Sequence, residues 1–249
     1  MFFRPVAACG HGSRSSTGLA DRIAPGARAL PSDRESAKSY FDKLAPEYDR
    51  AFRLQGHGAL STAVNRFFRG PTFARRMRLL ESLFAQIDLN GQTVLDLGCG
   101  SGQVSLLAAS MGARVHGIDI SPRMLGVARD AADHAGVPGA VRFEEGDVGS
   151  APLPPSDVVL LVGVVEYYAD FAPLVRRAAE AARRTLVVAH TSRVAYRMLL
   201  RKLLFTLQGG ALYFHPMSAV VAAAESGGVR LVKQLPEHAF TVLVFDRRG

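Results

Sequence analysis

The stretch Val94-Leu95-Asp96-Leu97-Gly98-Cys99-Gly100-Ser101-Gly102 places an acid beside a run of closely spaced glycines. Glycines at this spacing let a backbone turn sharply and approach a ligand closely. A helix opening behind such a turn offers unpaired N–H groups. The dinucleotide fingerprint G-x-G-x-x-G needs glycine at 103, where Gln103 stands, and no Lys-Ser/Thr pair follows to make a triphosphate loop. Asp96 would repel a pyrophosphate but attract an ammonium group. Asp119 follows Gly98 by 21 residues, near the roughly 20-residue offset of a ribose-hydroxyl acceptor. Asp147, in Glu145-Gly146-Asp147-Val148, is a third acid of the same kind. Asp96 and Asp119 together suit a ligand that carries an ammonium group and a sugar.

Such residues converge only if the chain sets them at one end of a sheet. Short β-branched runs occur at 93–97, 114–118, 141–144, 158–162, 185–189, 229–234 and 240–245, with helical segments at 102–111, 122–135 and 170–183. This alternation predicts an α/β fold: a Rossmann-like, seven-stranded, mostly parallel sheet with helices on both faces. The short gap at 235–239 predicts a hairpin and an antiparallel last strand. The three acids would then stand where doubly wound sheets bind ligands. Ahead of the sheet, helical spacing starts at Ser36, with a break or fresh first turn expected at Pro46. A second helix is expected over 71–87, with Met77, Leu80, Phe84 and Ile87 inward. Residues 1–33 read as a flexible tail, a targeting segment or a mis-assigned start, and 34–249 as a single domain with N-terminal cap helices over 36–87.

The motifs LDLGCGSG at 95–102, GIDISPRML at 117–125 and EEGDV at 144–148 resemble the class I S-adenosylmethionine-dependent methyltransferases. The resemblance extends in layout over residues 36–249 and is sharpest from 92 to 148. It implies S-adenosyl-L-methionine as cofactor and S-adenosyl-L-homocysteine as product. It implies that Asp96, Gly98, Cys99, Gly100 and Gly102 hold the methionine part, that Asp119 and Ile120 hold ribose and adenine, and that Asp147 and Val148 hold the adenine amino edge. It also implies that Gly163-Val164-Val165-Glu166-Tyr167 borders cofactor and acceptor, and that the aromatic first helix, with Tyr40 and Tyr48, folds over the cofactor as a lid. The Tyr-Phe-Asp at 40–42, the strand-four ending and a basic apolar insertion also resemble magnesium-protoporphyrin methyltransferases, whose strand-four histidine is replaced here by Glu166; quinone-ring and natural-product methyltransferases form the wider group.

Methyl transfer from an activated sulfonium needs alignment first and a base only if the acceptor loses a proton. Candidate catalytic residues are Glu166, Tyr167, His190 and Tyr40, and His215 could line an acceptor pocket. No histidine or cysteine spacing suits a metal. Asp130 and Asp157 read as solvated or turn residues. Strand four lacks the Asn/Asp-Pro-Pro-aromatic ending usual in nitrogen-directed nucleic-acid methyltransferases, so base methylation is disfavoured. A non-catalytic cofactor- or partner-binding protein of the same fold is the competing reading.

The net charge is +8. Residues 1–33 hold Arg4, Arg14, Arg22 and Arg28 against Asp21 and Asp33, so most of the excess lies beyond them. It gathers at 61–80 and at 181–224, where Arg193, Arg197 and Arg201 recur every four residues among leucines. Residues 193–213 therefore read as a basic amphipathic insertion. Its helix, 193–207, suits a cap, a cover for an anionic or apolar acceptor, or a peripheral membrane contact. Aromatics are not interleaved with these arginines, so a nucleic-acid groove is disfavoured. The expectation is a cytoplasmic enzyme, peripheral to a membrane if 193–207 binds one, acting on a small molecule.

Overall fold

The central strands carry apolar side chains on both faces, as a sheet covered on both sides requires. Val94, Leu95 and Leu97, Val158 through Leu161, and Leu186 through Val188 are all buried. The computed structural model describes residues 33–53, 74–191, 206, 211–237 and 240–247. Its strands are β1 (Thr93–Leu97), β2 (Arg114–Asp119), β3 (Val141–Glu145), β4 (Ser156–Val162), β5 (Ala182–His190), β6 (Val229–Pro236) and β7 (Thr241–Arg247). They form a seven-stranded sheet in the order β3-β2-β1-β4-β5-β7-β6. The first five pair in parallel, and β7 runs antiparallel between β5 and β6. The sequence expectation of an antiparallel last strand holds.

Between the strands lie α3 (Gln103–Ser110), α4 (Pro122–His134), α5 (Ala172–Ala181) and α6 (Met217–Ser226). Ahead of them come α1 (Asp33–Arg53) and α2 (74–87). One core joins Val159 and Leu161 to α5 and α6 through Leu174, Val175, Val220 and Ala224. The opposite core joins Val158 and Leu160 to α2 and α3 through Leu80, Leu83, Phe84 and Ala108. Alternate residues of β4 thus feed opposite cores, as a period of two dictates. Strand order reverses between β1 and β4, which opens a crevice at their carboxyl ends.

Several boundaries and roles depart from expectation. Pro46 lies inside α1, which runs unbroken past it. Proline removes the bond to the carbonyl four residues back. That carbonyl, of Asp42, instead faces Arg123 Nη1 at 3.5 Å. Asp157 is not a solvated turn residue: its carboxylate accepts from the Thr93 N–H at 2.9 Å and the Thr93 hydroxyl at 2.7 Å, joining β1 to β4. These bonds hold its carboxyl below the usual range. Helix α5 ends at Ala181 rather than 183 because Arg247 donates to the carbonyls of Ala179, Glu180 and Ala182, meeting the acceptors a helix end leaves open. The side chain of Tyr48 and, apart from residue 206, the insertion at 193–207 lie outside the described residues.

Candidate functional site

The glycine turn is shaped by steric demand. Gly98, Gly100 and Gly102 have φ of 70°, 56° and 78°, a region that side-chain-bearing residues enter at a cost. A Cβ on Gly98 would lie 2.4 Å from Val164 Cγ2, and one on Gly102 would lie 2.9 Å from Ala128 Cβ. A Cβ on Gly100 would meet nothing within 4 Å. Gly98 and Cys99 donate to the Ile118 carbonyl at 2.7 and 3.2 Å, which ties the turn to β2. The Cys99 sulfur lies against Gly117, 2.9 Å from where a Cβ would stand, and burial pushes its thiol well above the usual range. Cys99 therefore offers the crevice backbone rather than a nucleophile.

Asp119, the last residue of β2, ties the glycine turn to the start of α4. One carboxylate oxygen accepts from Gly100 N at 2.8 Å and the other from Ser121 N at 2.9 Å. Burial raises its carboxyl, against the pull of these two amides. Ser121 caps α4 by accepting from Met124 N at 3.1 Å, and its hydroxyl donates to Asp42 of α1 at 2.6 Å. Lys38 reaches the Ile120 carbonyl at 3.0 Å. The first helix thus docks directly on the end of β2.

Asp96 is 2% exposed and accepts from the Ser105 hydroxyl at 2.6 Å. Burial, partly offset by that bond, pushes its carboxyl up to about 6. An ammonium-bearing ligand needs the ionised form, so lowering the pH through 6 protonates Asp96 and removes the contact. The affinity for S-adenosylhomocysteine is therefore expected to stay level above pH 7 and to fall about tenfold by pH 5, where one carboxyl in ten remains ionised. Calorimetry across that range checks this, and a flat profile would remove Asp96 from the contact.

Asp147 follows β3 in a tight turn. It accepts from Gly149 N at 2.9 Å, the Ser150 hydroxyl at 2.8 Å and the Tyr168 hydroxyl at 2.9 Å. Val148 is buried behind it, and Ile120 is half-buried. Tyr168 is absent from the sequence-based candidates. Only its adjacency to Tyr167 pointed to it.

Across the crevice, the single helical turn Val165–Tyr167 follows β4. Glu166 is 4% exposed; one oxygen accepts from the Thr191 hydroxyl at 3.1 Å, and the other is buried without a hydrogen-bond partner. His190, at the end of β5, donates from Nε2 to the His215 carbonyl at 2.9 Å. A carbonyl only accepts, so Nε2 carries the proton and the neutral ring leaves Nδ1 bare. Nδ1 is also buried without a partner. Burial lowers the His190 pKa, so the neutral ring dominates at pH 7. His215 in turn donates from Nε2 to the Tyr168 carbonyl at 2.9 Å. The structure brings Glu166, His190 and His215 together. Tyr40 and Tyr167 pack with Leu212 in an aromatic cluster, with Phe41 edge-on to both tyrosines.

Arg76 was also missed. It lies one turn ahead of Leu80 on the inner stripe of α2, and its Nη1 stands 3.0 Å from where a Gly163 side chain would begin. The sequence did carry a signal: an arginine in phase with Leu80 and Phe84.

Residues 94–187 match the family described as "Methyltransferase domain". Over these residues the chain is similar to methyltransferases. The ubiquinone biosynthesis O-methyltransferase of Methylobacterium sp. (strain 4-46) is 41% identical to this chain over 95 residues, 38% of each chain. A ribosomal protein L11 methyltransferase of Deinococcus radiodurans is 41% identical over 73 residues, 29% of this chain and 27% of that one. The similarity therefore spans well under half the length of these curated relatives. Magnesium protoporphyrin IX methyltransferase from Synechocystis PCC 6803, solved with bound SAH, shares the fold with a TM-score of 0.69 at 21% identity, covering 87% of this chain and all of that one.

The magnesium protoporphyrin IX methyltransferase structures hold SAH or SAM, and carboxylates and a glycine turn are donors that suit such a molecule. Gly100 leaves open space beside the turn, and Asp96, Asp119 and Asp147 lie at or just beyond the ends of β1, β2 and β3.

Proposed function

We propose that the protein transfers the methyl group of S-adenosylmethionine to an oxygen or carbon of a small-molecule acceptor. The observation that carries this is the Asp119 carboxylate, which is bonded at once to the glycine turn and to the cap of α4 at the mouth of the β1–β4 crevice. Asp96 takes the ammonium end, Asp119 the ribose hydroxyls with Ile120 against the ring, and Asp147 with Val148 the adenine edge. Gly98, Cys99, Gly100 and Gly102 lend backbone to the methionine part, and Val164 closes the turn from β4. Tyr40 and Tyr48 belong to the helix that covers the site and excludes water. Bound, the cofactor supplies an already activated methyl group, and the chain supplies alignment.

The remaining work is a proton. Glu166 and His190 each present a buried acceptor atom without a partner on the acceptor side of the crevice. An acceptor that loses a proton on methylation can pass it to His190 Nδ1, and Glu166 stabilises the imidazolium so formed. Tyr167 helps to wall that pocket. The name of the Methylobacterium relative supports oxygen as the atom modified. Among the described residues no helix is long and apolar enough to cross a membrane. Membrane-surface contact through 193–207, a cytoplasmic setting, and a single domain over 34–249 behind a tail at 1–33 belong to this proposal, supported by the arginine spacing and composition alone.

The test is transfer of a labelled methyl group from S-adenosylmethionine into a metabolite extract. Label should enter a small molecule, and Glu166→Gln should slow that transfer by roughly a hundredfold while leaving S-adenosylhomocysteine affinity intact. Extracts that stay unlabelled, or transfer that Glu166→Gln leaves unchanged, would contradict the respective part.

A further inference from the structure

Residues 211–216, just ahead of α6, are fastened to two strand ends. Tyr213 N donates to the Glu166 carbonyl at 2.8 Å, and His215 Nε2 donates to the Tyr168 carbonyl at 2.9 Å, both in the chain that follows β4. The His215 ring also packs against Phe171, with centroids 4.1 Å apart. The His215 carbonyl accepts from Nε2 of His190, the last residue of β5, at 2.9 Å. Pro216, the residue before α6, has a φ of −61°, and a residue ahead of proline is confined to extended backbone. The His215 carbonyl therefore has little freedom to turn away.

That carbonyl makes a choice for His190. A neutral imidazole carries its proton on one nitrogen and leaves the other bare. Two acceptors compete for the proton: the His215 carbonyl at Nε2, and the Glu166 carboxylate, whose charge acts on the ring. An ionised acceptor ordinarily outbids a carbonyl. Here position decides. Nε2 is bonded, whereas His190 Nδ1 and Glu166 Oε2 are both buried without a hydrogen-bond partner. A proton on Nδ1 would leave the bare Nε2 facing a carbonyl oxygen, lone pair against lone pair.

We propose that His215 is a positioning residue for His190: anchored through its own ring to the Tyr168 carbonyl, it holds its main-chain carbonyl on His190 Nε2 and so keeps Nδ1 free for the proton of the methyl acceptor. This rests on the base role given to His190 above. Without the anchor the carbonyl shifts, and the proton moves to Nδ1, where it blocks the base.

A merely structural role, closing the sheet end, would lower stability without moving the His190 proton. The test therefore reads the proton directly, by long-range nitrogen–proton NMR of the histidine rings in the full chain at neutral pH, with the His190 signals assigned by their loss in His190→Gln. The wild-type chain should carry the proton on Nε2. His215→Phe keeps a ring against Phe171 but has no donor for the Tyr168 carbonyl, and it should make the Nδ1–H form the major one. His215→Gln, which keeps an N–H at comparable reach, should retain the wild-type form. Labelled methyl transfer into a metabolite extract should fall roughly tenfold or more in His215→Phe and recover in His215→Gln, with S-adenosylhomocysteine affinity equal in all three. A proton on Nδ1 in the wild type, or on Nε2 in His215→Phe, overturns the role of His215. If His215→Phe does not fold, His215→Gln decides: the Nε2–H form supports the anchor and the Nδ1–H form overturns it. An extract that the wild-type chain leaves unlabelled overturns the function proposed above, a failure separate from that of the tautomer.

Discussion

Asp119→Ala is expected to weaken S-adenosylhomocysteine binding by roughly a hundredfold or more, the largest loss for any single side chain of the site. The effect has two sources. The variant would lose the acceptor proposed for the ribose hydroxyls, and it also strands the amides of Gly100 and Ser121, which donate to the carboxylate at 2.8 and 2.9 Å. Leaving buried donors without acceptors costs about 1–3 kcal/mol each. The turn would then relax away from the conformation that receives the methionine part. Calorimetric titration of the folded variant measures this, and unchanged affinity would remove Asp119 from the site. Asparagine is no substitute, because its amide would point N–H groups at one of the two backbone donors.

Gly98→Ala is expected to be the most damaging change to the fold of the site. The added Cβ would stand 2.4 Å from Val164 Cγ2, and the residue would have to keep a φ of 70°. Overpacking of this kind costs about 1–3 kcal/mol, and the left-handed backbone about 1–2 kcal/mol more. Together they should lower the melting temperature by roughly 5–15 °C and abolish measurable cofactor binding. Trimming the partner in Gly98→Ala/Val164→Ala should restore the packing part of the loss and leave the backbone part. Gly100→Ala is the informative contrast. Its Cβ would enter open space, so it should cost affinity far more than stability if a ligand occupies that space. Equal thermal losses for the two variants would show that crowding against Val164 does not set the geometry of the turn.

The difference between these sites explains what could be read in the sequence. The order of strands and helices, the antiparallel β7 and the positions of Asp96, Asp119 and Asp147 follow from local signals: β-branched runs, a glycine turn and fixed offsets. What escaped depends on contacts far apart in the chain. Pro46 fits inside α1 with the freed Asp42 carbonyl facing Arg123 of α4, 81 residues distant. Asp157 joins two strands through Thr93, 64 residues away. Tyr168 reaches Asp147 only once β3 and β4 lie in one sheet. Arg76 looked like one charge among several in a basic stretch, and its phase with Leu80 gains meaning only once α2 packs beside β4 and brings the guanidinium to Gly163. The arginines at 193, 197 and 201 lie outside the described residues.

The central claim is that the crevice between β1 and β4 holds the methyl donor. Titration of the full chain with S-adenosylhomocysteine, followed by calorimetry at pH 7.5, tests it most directly. The account predicts saturable binding of one ligand per chain, lost on Asp119→Ala. Absence of binding by the folded wild-type chain would contradict it.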